Sequence, residues 1–146
     1  MPSVTNSTKI AAPVKDVFSY VADHPERATA FIPGLNRISN VSSPEPKVGQ
    51  TWDYEFNWFG VVISGNSRCT KLERPSVYQF QTVTGNRSTW TYRFAPDGDG
   101  TRLDFEVEYE VPEGQLARMA TEGKLERMNK ERAVEVLSNL KGLIEE

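Results

Sequence analysis

The sequence contains few of the residues that most often carry out chemistry. Among its 146 residues there is one histidine, His24, and one cysteine, Cys69. A lone cysteine excludes an internal disulfide and any multi-cysteine metal cage. One histidine and one cysteine also fall short of the three or four ligands of a usual zinc site. We therefore expect no bound metal, no cofactor and no catalytic residue of the triad type.

Long apolar runs and a large excess of one charge are also missing. No apolar stretch approaches the roughly 18 residues needed to cross a bilayer, and residues 1–10 lack the features of a signal peptide. The net charge of −3, with both signs interspersed, gives no indication of a nucleic-acid partner. With 38% apolar and 25% charged residues, the chain is expected to form one cytoplasmic domain over residues 1–146.

Aromatic residues are abundant between positions 52 and 109, and most of them alternate along the chain. The eleven that alternate are Trp52, Tyr54, Phe56, Trp58, Tyr78, Phe80, Trp90, Tyr92, Phe94, Phe105 and Tyr109. Because successive strand side chains point to opposite faces, this pattern predicts a sheet with one aromatic face. A packed core is the ordinary use of such rings, but a single helix hardly fills the space against eleven of them. The sequence therefore favours a ligand pocket.

Turn residues and periodicity divide the chain into strands and helices. A strand over 4–10 precedes a helix that begins at Pro13, and a second short helix follows Pro25. Six further strands are predicted over 35–41, 50–59, 61–72, 77–83, 88–94 and 102–111, separated by turn sequences such as Gly85-Asn86. From residue 113 onward the helical period returns without a proline, which predicts one long C-terminal helix.

The predicted C-terminal helix carries two apolar stripes that do not line up. The first comprises Leu116, Met119, Ala120 and Gly123, and the second comprises Ala133, Val136, Leu137, Leu140, Leu143 and Ile144. They are rotated by roughly a quarter to a third of a turn at about 100° per residue. Two interpretations stay open: Glu126, Asn129 and Lys130 present polar groups to the space beneath the helix, or a kink at Gly123 realigns the stripes.

Five segments spread along the chain carry a family resemblance. They are APVKDVFSYVAD at 12–23, IPG at 32–34, KVGQTW at 47–52, CTKLERP at 69–75 and DGTRL at 99–103. In this order they resemble the bacterial polyketide cyclase/dehydrase-like proteins of the START-type (SRPBCC) superfamily. The resemblance implies the α+β helix-grip fold, a seven-stranded antiparallel sheet wrapped around a long C-terminal helix, with two short helices after the first strand. It also implies a cavity between sheet and helix for a hydrophobic molecule such as a lipid or polyketide.

The predicted ligand-binding residues are rings of the implied cavity wall and one helix residue. They are Tyr54, Phe56, Trp58, Phe80, Trp90, Tyr92, Phe105, Tyr109 and Met119. Trp52 and Phe94 lie near strand ends and are given a structural role. The polar end of a ligand would meet Tyr54, Tyr92 or Tyr109, with Lys130 or Glu126 contributing from the helix.

The remaining reactive side chains are predicted to be structural. His24 lies at a helix boundary, which suits capping or exposure to solvent better than catalysis. Cys69 is predicted to be a buried, inert thiol. The carboxylates that alternate along the last strand are expected to form a solvated outer face, paired in part with Lys9 or Arg93. They are Asp104, Glu106, Glu108 and Glu110.

Three functions remain open from the sequence. The first, which it favours, is binding or transport of one small hydrophobic ligand by a monomer or weak homodimer. The second is polyketide cyclase/dehydrase-type turnover in the same cavity, with Tyr92 or Tyr109 as the acid/base group. The sequence indicates no histidine or carboxylate inside the cavity, which counts against turnover. The third is a protein-interaction module, for which Phe59 and the loop over 42–47 are the only indications.

Overall fold

Seven strands and four helical segments make up the computed structural model, which describes residues 1–146. The strands are β1 (Ser3–Ile10), β2 (Leu35–Ser39), β3 (Thr51–Trp58), β4 (Val61–Glu73), β5 (Val77–Thr82), β6 (Ser88–Asp97) and β7 (Gly100–Tyr109). The helices are α1 (Val14–Ala22), a 3₁₀ helix (Pro25–Ala30), α2 (Gln115–Thr121) and α3 (Lys124–Glu145). The two short helices after the first strand and all seven strands were predicted from the sequence.

The strands form one antiparallel sheet in the order β1-β7-β6-β5-β4-β3-β2. Every neighbouring pair is antiparallel, so the predicted seven-stranded antiparallel sheet is confirmed. The register sets Tyr78 opposite Tyr92, and Tyr92 opposite Phe105. Phe80 lies opposite Trp90 in the same way. The rings therefore collect on one face of the sheet, as their alternation predicted.

The predicted long C-terminal helix is α3, but it begins at Lys124 rather than near residue 113, because the separate short helix α2 precedes it. Gly123 adopts a left-handed conformation, with φ of +76°, between α2 and α3. A glycine tolerates this conformation without a Cβ penalty, and it ends one helix while the chain changes direction into the next. The kink at Gly123, one of the two interpretations left open, is the one that the structure shows.

Helix α1 is fastened to the sheet at its buried face. Phe18 is fully buried and packs edge-on against Phe94 of β6, with ring centroids 5.0 Å apart. Arg74 also contacts Phe18, with its guanidinium carbon over the ring and 4.9 Å from the ring centroid. The same guanidinium donates hydrogen bonds to Asp23 at 2.6 Å and to Ser19 at 3.2 Å. These contacts hold α1 over β6, and Val21, near the end of α1, lies at the cavity.

The outer face of β7 carries carboxylates, but their partners differ from the prediction. Asp104 accepts a hydrogen bond from Arg102 of its own strand at 3.2 Å. Arg93 is the cross-strand neighbour of Asp104 but forms no ion pair with it, and Lys9 pairs instead with Asp97 at 3.8 Å. Because these charges are exposed, each pair adds at most about 1 kcal/mol to stability.

Candidate ligand-binding cavity

The aromatic face of the sheet and helix α3 enclose a cavity of about 130 Å³. It is lined by 29 residues, of which 21 are hydrophobic. Residues of the 3₁₀ helix and of the loop that follows it, from Pro25 to Pro33, contribute to one side. An apolar cavity of about 150 Å³ in another protein is large enough to hold benzene. The space therefore suits the body of a small apolar molecule.

Eight of the nine predicted ligand-binding residues lie in the cavity lining. They are Tyr54, Phe56, Trp58, Phe80, Trp90, Tyr92, Phe105 and Tyr109. Met119 does not line the cavity, because it belongs to α2, where it packs against the core. Trp52, which was given a structural role, does line it, whereas Phe94 lies outside against α1.

The rings of the wall are packed against one another as well as against the cavity. Phe80 and Trp90 are stacked, with centroids 5.6 Å apart and planes inclined by 12°. Trp52 meets Phe80 edge-on at 5.3 Å, and Phe105 lies 5.8 Å from Trp90. Aromatic pairs of this kind contribute about 0.5–1.5 kcal/mol each beyond burial. The wall is therefore held in place by its own contacts and presents flat surfaces to a ligand.

The hydroxyl of Tyr54 is committed to the sheet. It donates to the carbonyl of Thr84 at 2.8 Å and accepts from the N–H of Asn86 at 3.3 Å. Gly85, with φ of +87°, lets the β5–β6 turn approach, since a Cβ there would lie 2.5 Å from the Tyr54 hydroxyl oxygen. The ring of Tyr54 lines the cavity, but its hydroxyl already has its partners, contrary to the predicted polar role.

The indole N–H of Trp90 also has a hydrogen-bond partner within the protein. Its indole N–H donates to the Ser88 hydroxyl at 2.9 Å. The Ser88 oxygen lies 2.6 Å from that of Thr82, which donates to the carbonyl of Asn86 at 2.5 Å. This chain of hydrogen bonds fixes the indole in the wall. Trp90 therefore offers a ligand its ring surface rather than a free donor.

Two buried tyrosines keep free hydroxyls. Tyr78 and Tyr92 are each 1% exposed, and their rings stack at 6.2 Å. The Tyr78 hydroxyl has no hydrogen-bond partner, and the Tyr92 hydroxyl makes no hydrogen bond within the protein. Burial raises the pKa of Tyr92 well above its usual range. Burial also raises the pKa of Tyr78, with further contributions from Cys69 and Tyr92. Both hydroxyls stay protonated at neutral pH and can donate.

Helix α3 supplies the polar side of the cavity. The indole N–H of Trp58 donates to Oδ1 of Asn129 at 3.0 Å, and Nδ2 of Asn129 is buried without a partner. Arg132, one turn further along the same face, also lines the cavity. Glu126 and Lys130 do not, because they pair with each other at 3.3 Å on the exposed face. Of the three polar residues that one of the two open interpretations placed beneath the helix, Asn129 lines the cavity and Glu126 and Lys130 do not.

The isolated reactive residues lie away from the cavity. The His24 side chain is 47% exposed and approaches Glu26 at 3.5 Å. Cys69 is fully buried, and burial raises the pKa of its thiol, which disfavours the reactive thiolate. No cluster of three or more histidine, cysteine, aspartate or glutamate residues could hold a metal ion. None of the helices has the length and hydropathy required to cross a membrane.

Sequence comparison identifies one family. The model for polyketide cyclase / dehydrase and lipid transport matches residues 1–145. No curated protein matches the sequence significantly. The segments that carried the resemblance in the sequence all lie within the matched range.

Solved structures share the fold at low sequence identity. A protein from Thermus thermophilus, TTHA0849, superposes with a TM-score of 0.80 at 17% identity, covering 98% of this chain and 97% of that one. The Zhui aromatase/cyclase from Streptomyces sp. R1128 gives 0.78 at 17% identity, covering 99% and 93%. A START superfamily protein from Mycobacterium smegmatis gives 0.71 at 16%, covering 98% and 97%. At these identities the likeness shows the fold, and the predicted α+β helix-grip architecture is confirmed.

Proposed function

The chain belongs to the polyketide cyclase / dehydrase and lipid transport family, and from that premise we propose that it binds one small hydrophobic molecule, aromatic or lipidic, in the cavity beneath α3. The observation that carries the proposal is the cavity itself, in which 21 of 29 lining residues are hydrophobic and stacked rings form one wall. Mostly apolar clefts with a few fixed polar groups are typical ligand sites.

Burial of the ligand supplies the main favourable free energy. A ligand with one or two rings buries about 150–250 Å² of apolar surface, as an aromatic side chain does. At about 25 cal/mol per Å² this contributes about 4–6 kcal/mol before the costs of ordering are subtracted. Such a value corresponds to roughly millimolar to tens of micromolar affinity at best. Tighter binding therefore requires polar contacts inside the cavity.

The free hydroxyls of Tyr78 and Tyr92 supply such contacts in the proposal. The Tyr78 hydroxyl is buried with no acceptor in the protein, and the Tyr92 side chain, 1% exposed, lies beside it in the cavity lining. A carbonyl or hydroxyl oxygen on the ligand would satisfy one of them, and each such bond contributes about 0.5–1.5 kcal/mol. Tyr109 also lines the cavity, and its ring meets Trp58 edge-on with centroids 5.4 Å apart. Its hydroxyl is a third donor in the lining. We infer that the ligand carries at least one oxygen acceptor.

Binding is proposed in preference to cyclase/dehydrase-type turnover. No histidine, aspartate or glutamate lines the cavity. Burial raises the pKa of Tyr92 so far that the hydroxyl is a poor proton donor to a reaction at neutral pH, although it remains a good hydrogen-bond donor. The protein-interaction alternative also has little support, because Phe59 is half-buried under the Arg132 guanidinium at 4.6 Å.

The proposal includes the remaining expectations from the sequence. We propose that the protein acts as a monomer or weak homodimer, in the cytoplasm and without a nucleic-acid partner. We also propose that residues 1–146 form a single domain with this one ligand site. The modest net charge of −3 and the lone, buried cysteine support these expectations. Light scattering together with sedimentation at several concentrations measures the oligomeric state directly.

Native mass spectrometry of gently purified protein tests the proposal first. A reproducible extra mass that disappears in a denaturing run would identify a bound molecule. In parallel, the neutral reporter N-phenyl-1-naphthylamine is titrated while its fluorescence is recorded. We expect saturable binding that Trp90→Ala weakens by about tenfold, because the indole forms part of the flat wall.

The matched control is Phe94→Leu. Phe94 is a buried ring on the same strand and face, but it lies outside the cavity and packs against Phe18. It therefore shows what loss of an aromatic core residue does by itself. Near-ultraviolet circular dichroism of each variant confirms that the tertiary packing is intact. Equal reporter affinity in the wild type and in both variants would contradict binding in this cavity.

A further inference from the structure

We propose that the ligand is an apolar monocarboxylate whose carboxylate is bound by Arg132 at the edge of the cavity. This inference rests on the proposed ligand-binding function and assigns the chemical class of the ligand. The starting observation is that Arg132 is the only side chain with a permanent charge among the 29 residues that line the cavity. A cation beside an otherwise neutral, apolar cavity marks where an anionic group of the ligand would lie.

Arg132 has no acidic partner in the protein. It belongs to none of the eight ion pairs, and neither Glu131 nor Glu135 on the same helix approaches its guanidinium within 4.0 Å. By contrast, Lys130 and Lys141 on the same helix each pair with a glutamate four residues away. The positive charge at the cavity edge is therefore uncompensated, unlike those of the lysines on α3.

The guanidinium is nevertheless held in a fixed position. Its Nη1 donates to the carbonyl of Pro33 at 2.8 Å, and its plane lies over the ring of Phe59 at 4.6 Å. Gly34 leaves the necessary room, because a Cβ there would lie 2.9 Å from Nη1. One N–H of the five that a guanidinium carries is used in this way. The rest remain as donors on a pre-positioned group, which reduces the ordering cost of binding a carboxylate.

A second free donor lies on the same face of the helix. The amide of Asn129 is oriented by Trp58, whose N–H donates to Oδ1, so Nδ2 is left buried without a partner. Asn129 and Arg132 are three residues apart and both line the cavity. A carboxylate offers two oxygens and about four acceptor sites, enough for both side chains at once. A neutral carbonyl has a single oxygen and gains no ionic interaction with the guanidinium.

The rest of the lining defines the body of the ligand. Beyond Arg132 no lysine, arginine, aspartate or glutamate faces the cavity. A second charge on the ligand would be buried without a partner there, which costs several kcal/mol. Arg132 itself is half-buried, so a carboxylate at that position keeps part of its hydration. These constraints favour one negative charge at one end of a flat apolar molecule.

Competition between two ligands of the same shape tests the inference. The reporter N-phenyl-1-naphthylamine is displaced by 2-naphthoate or by 2-acetylnaphthalene, which keeps the carbonyl but is neutral. We expect the carboxylate to compete about tenfold better at low salt, since hydrogen bonds to charged groups are about twice as strong as neutral ones. In Arg132→Gln, which retains a donor for Pro33, this preference should vanish while 2-acetylnaphthalene binds as before. Arg132→Lys should retain part of the preference.

Arg127→Gln is the matched control, because Arg127 is exposed on the same helix and does not line the cavity. It lowers the charge of the protein equally and should leave the preference intact. Equal competition by the two ligands in the wild type would overturn the inference and leave the proposed function standing. An equal loss of affinity for both ligands in Arg132→Gln would also overturn it, because Arg132 would then act only through its packing in the cavity wall. If neither the reporter nor 2-naphthoate, titrated directly by calorimetry, binds the wild type, the proposed function fails and the inference with it.

Discussion

The indole N–H of Trp58, at the end of β3, donates a hydrogen bond of 3.0 Å to Oδ1 of Asn129 on α3, 71 residues away in the sequence. This is a direct polar link between the sheet and the helix across the cavity wall. It orients the Asn129 amide, and it also fixes the Trp58 ring, which meets Tyr109 edge-on at 5.4 Å. One hydrogen bond thus sets both the position of a wall residue and the direction of a free donor.

A double-mutant cycle measures the contribution of this link to stability. We expect Trp58→Phe and Asn129→Leu each to lower the free energy of unfolding. The loss in the double variant should be about 1 kcal/mol smaller than the sum of the losses in the two single variants. That difference is the coupling expected of a neutral, partly buried hydrogen bond. Urea unfolding monitored by circular dichroism gives the values. Strict additivity of the two changes would mean that the hydrogen bond contributes nothing to stability.

The β5–β6 turn predicts a large difference between two glycine substitutions. Gly85 and Gly60 both have positive φ, of +87° and +94°. A Cβ at Gly85 would lie 2.5 Å from the Tyr54 hydroxyl oxygen and 2.6 Å from the Ser64 carbonyl oxygen, whereas at Gly60 it would meet nothing within 4 Å. Gly60→Ala therefore incurs only backbone strain, about 1 kcal/mol. Gly85→Ala adds steric overlap and should destabilise by about 3 kcal/mol.

Both glycine variants are compared by urea unfolding at one pH. The Gly60→Ala variant is the control for the unfavourable conformation itself, since it shares the sign of φ and lacks the close contacts. Similar losses of unfolding free energy in the two variants would contradict the close packing of the turn against Tyr54.

The aromatic face could be predicted from the sequence because it depends on one local rule. Side chains alternate along a strand, so Trp90, Tyr92 and Phe94 had to share a face once the strand was recognised. The same rule gives no information about depth along the cavity. It therefore could not separate Phe94, which packs against α1, from Trp52, which lines the cavity. Nor could it show that the Tyr54 hydroxyl is occupied by the β5–β6 turn, since that contact joins residues 30 apart.

The helical side of the site was less predictable because it depends on how α3 packs against the sheet, which is a contact between segments far apart in the sequence. With a continuous helix through Gly123, the helical wheel put Glu126 and Lys130 beside Asn129. In the structure α2 ends at Gly123, and within α3 Glu126 and Lys130 pair with each other on the exposed side while Asn129 lines the cavity. Arg132 was missed, although its spacing of three residues from Asn129 was a usable signal.

The end of α3 predicts a dependence of stability on pH. Hydrogen bonds from Lys141, at 2.6 Å, and from the Ala11 N–H, at 2.8 Å, lower the pKa of Glu145 below its ordinary value of 4.5. Because the folded pKa is the lower one, the stabilisation is complete above about pH 5 and is lost as the pH falls through the folded pKa. Glu145→Gln should therefore be less stable than wild type at pH 7, and the difference should shrink in acid.

The control for this comparison is Glu146→Gln, which removes the same charge from the adjacent residue. Glu146 is exposed and forms no ion pair. Its variant should follow the wild type at every pH. If the difference between wild type and Glu145→Gln stayed constant down to pH 3, or appeared equally in Glu146→Gln, the ionised carboxylate would not be its source.

Two tyrosines in the cavity wall should respond in opposite ways to removal of the hydroxyl. The Tyr54 hydroxyl makes two hydrogen bonds to the β5–β6 turn, so Tyr54→Phe removes both of them and should lower the free energy of unfolding by about 1 kcal/mol. The Tyr78 hydroxyl is buried without a partner, so Tyr78→Phe removes an uncompensated polar group. It should leave stability unchanged or raise it by about 1 kcal/mol.

The same pair separates structural from ligand-binding roles when reporter displacement by 2-acetylnaphthalene is measured on both variants. The Tyr78 hydroxyl has no partner in the free protein, and in the proposal a ligand oxygen accepts a hydrogen bond from it. Tyr78→Phe should therefore lower the affinity for 2-acetylnaphthalene several-fold while the protein stays as stable as wild type. Tyr54→Phe should show the reverse, with lower stability and nearly unchanged ketone affinity. A Tyr78→Phe variant that is less stable than wild type by about 1 kcal/mol or more would mean that its hydroxyl has a partner within the protein, and the ligand role of Tyr78 would then be rejected.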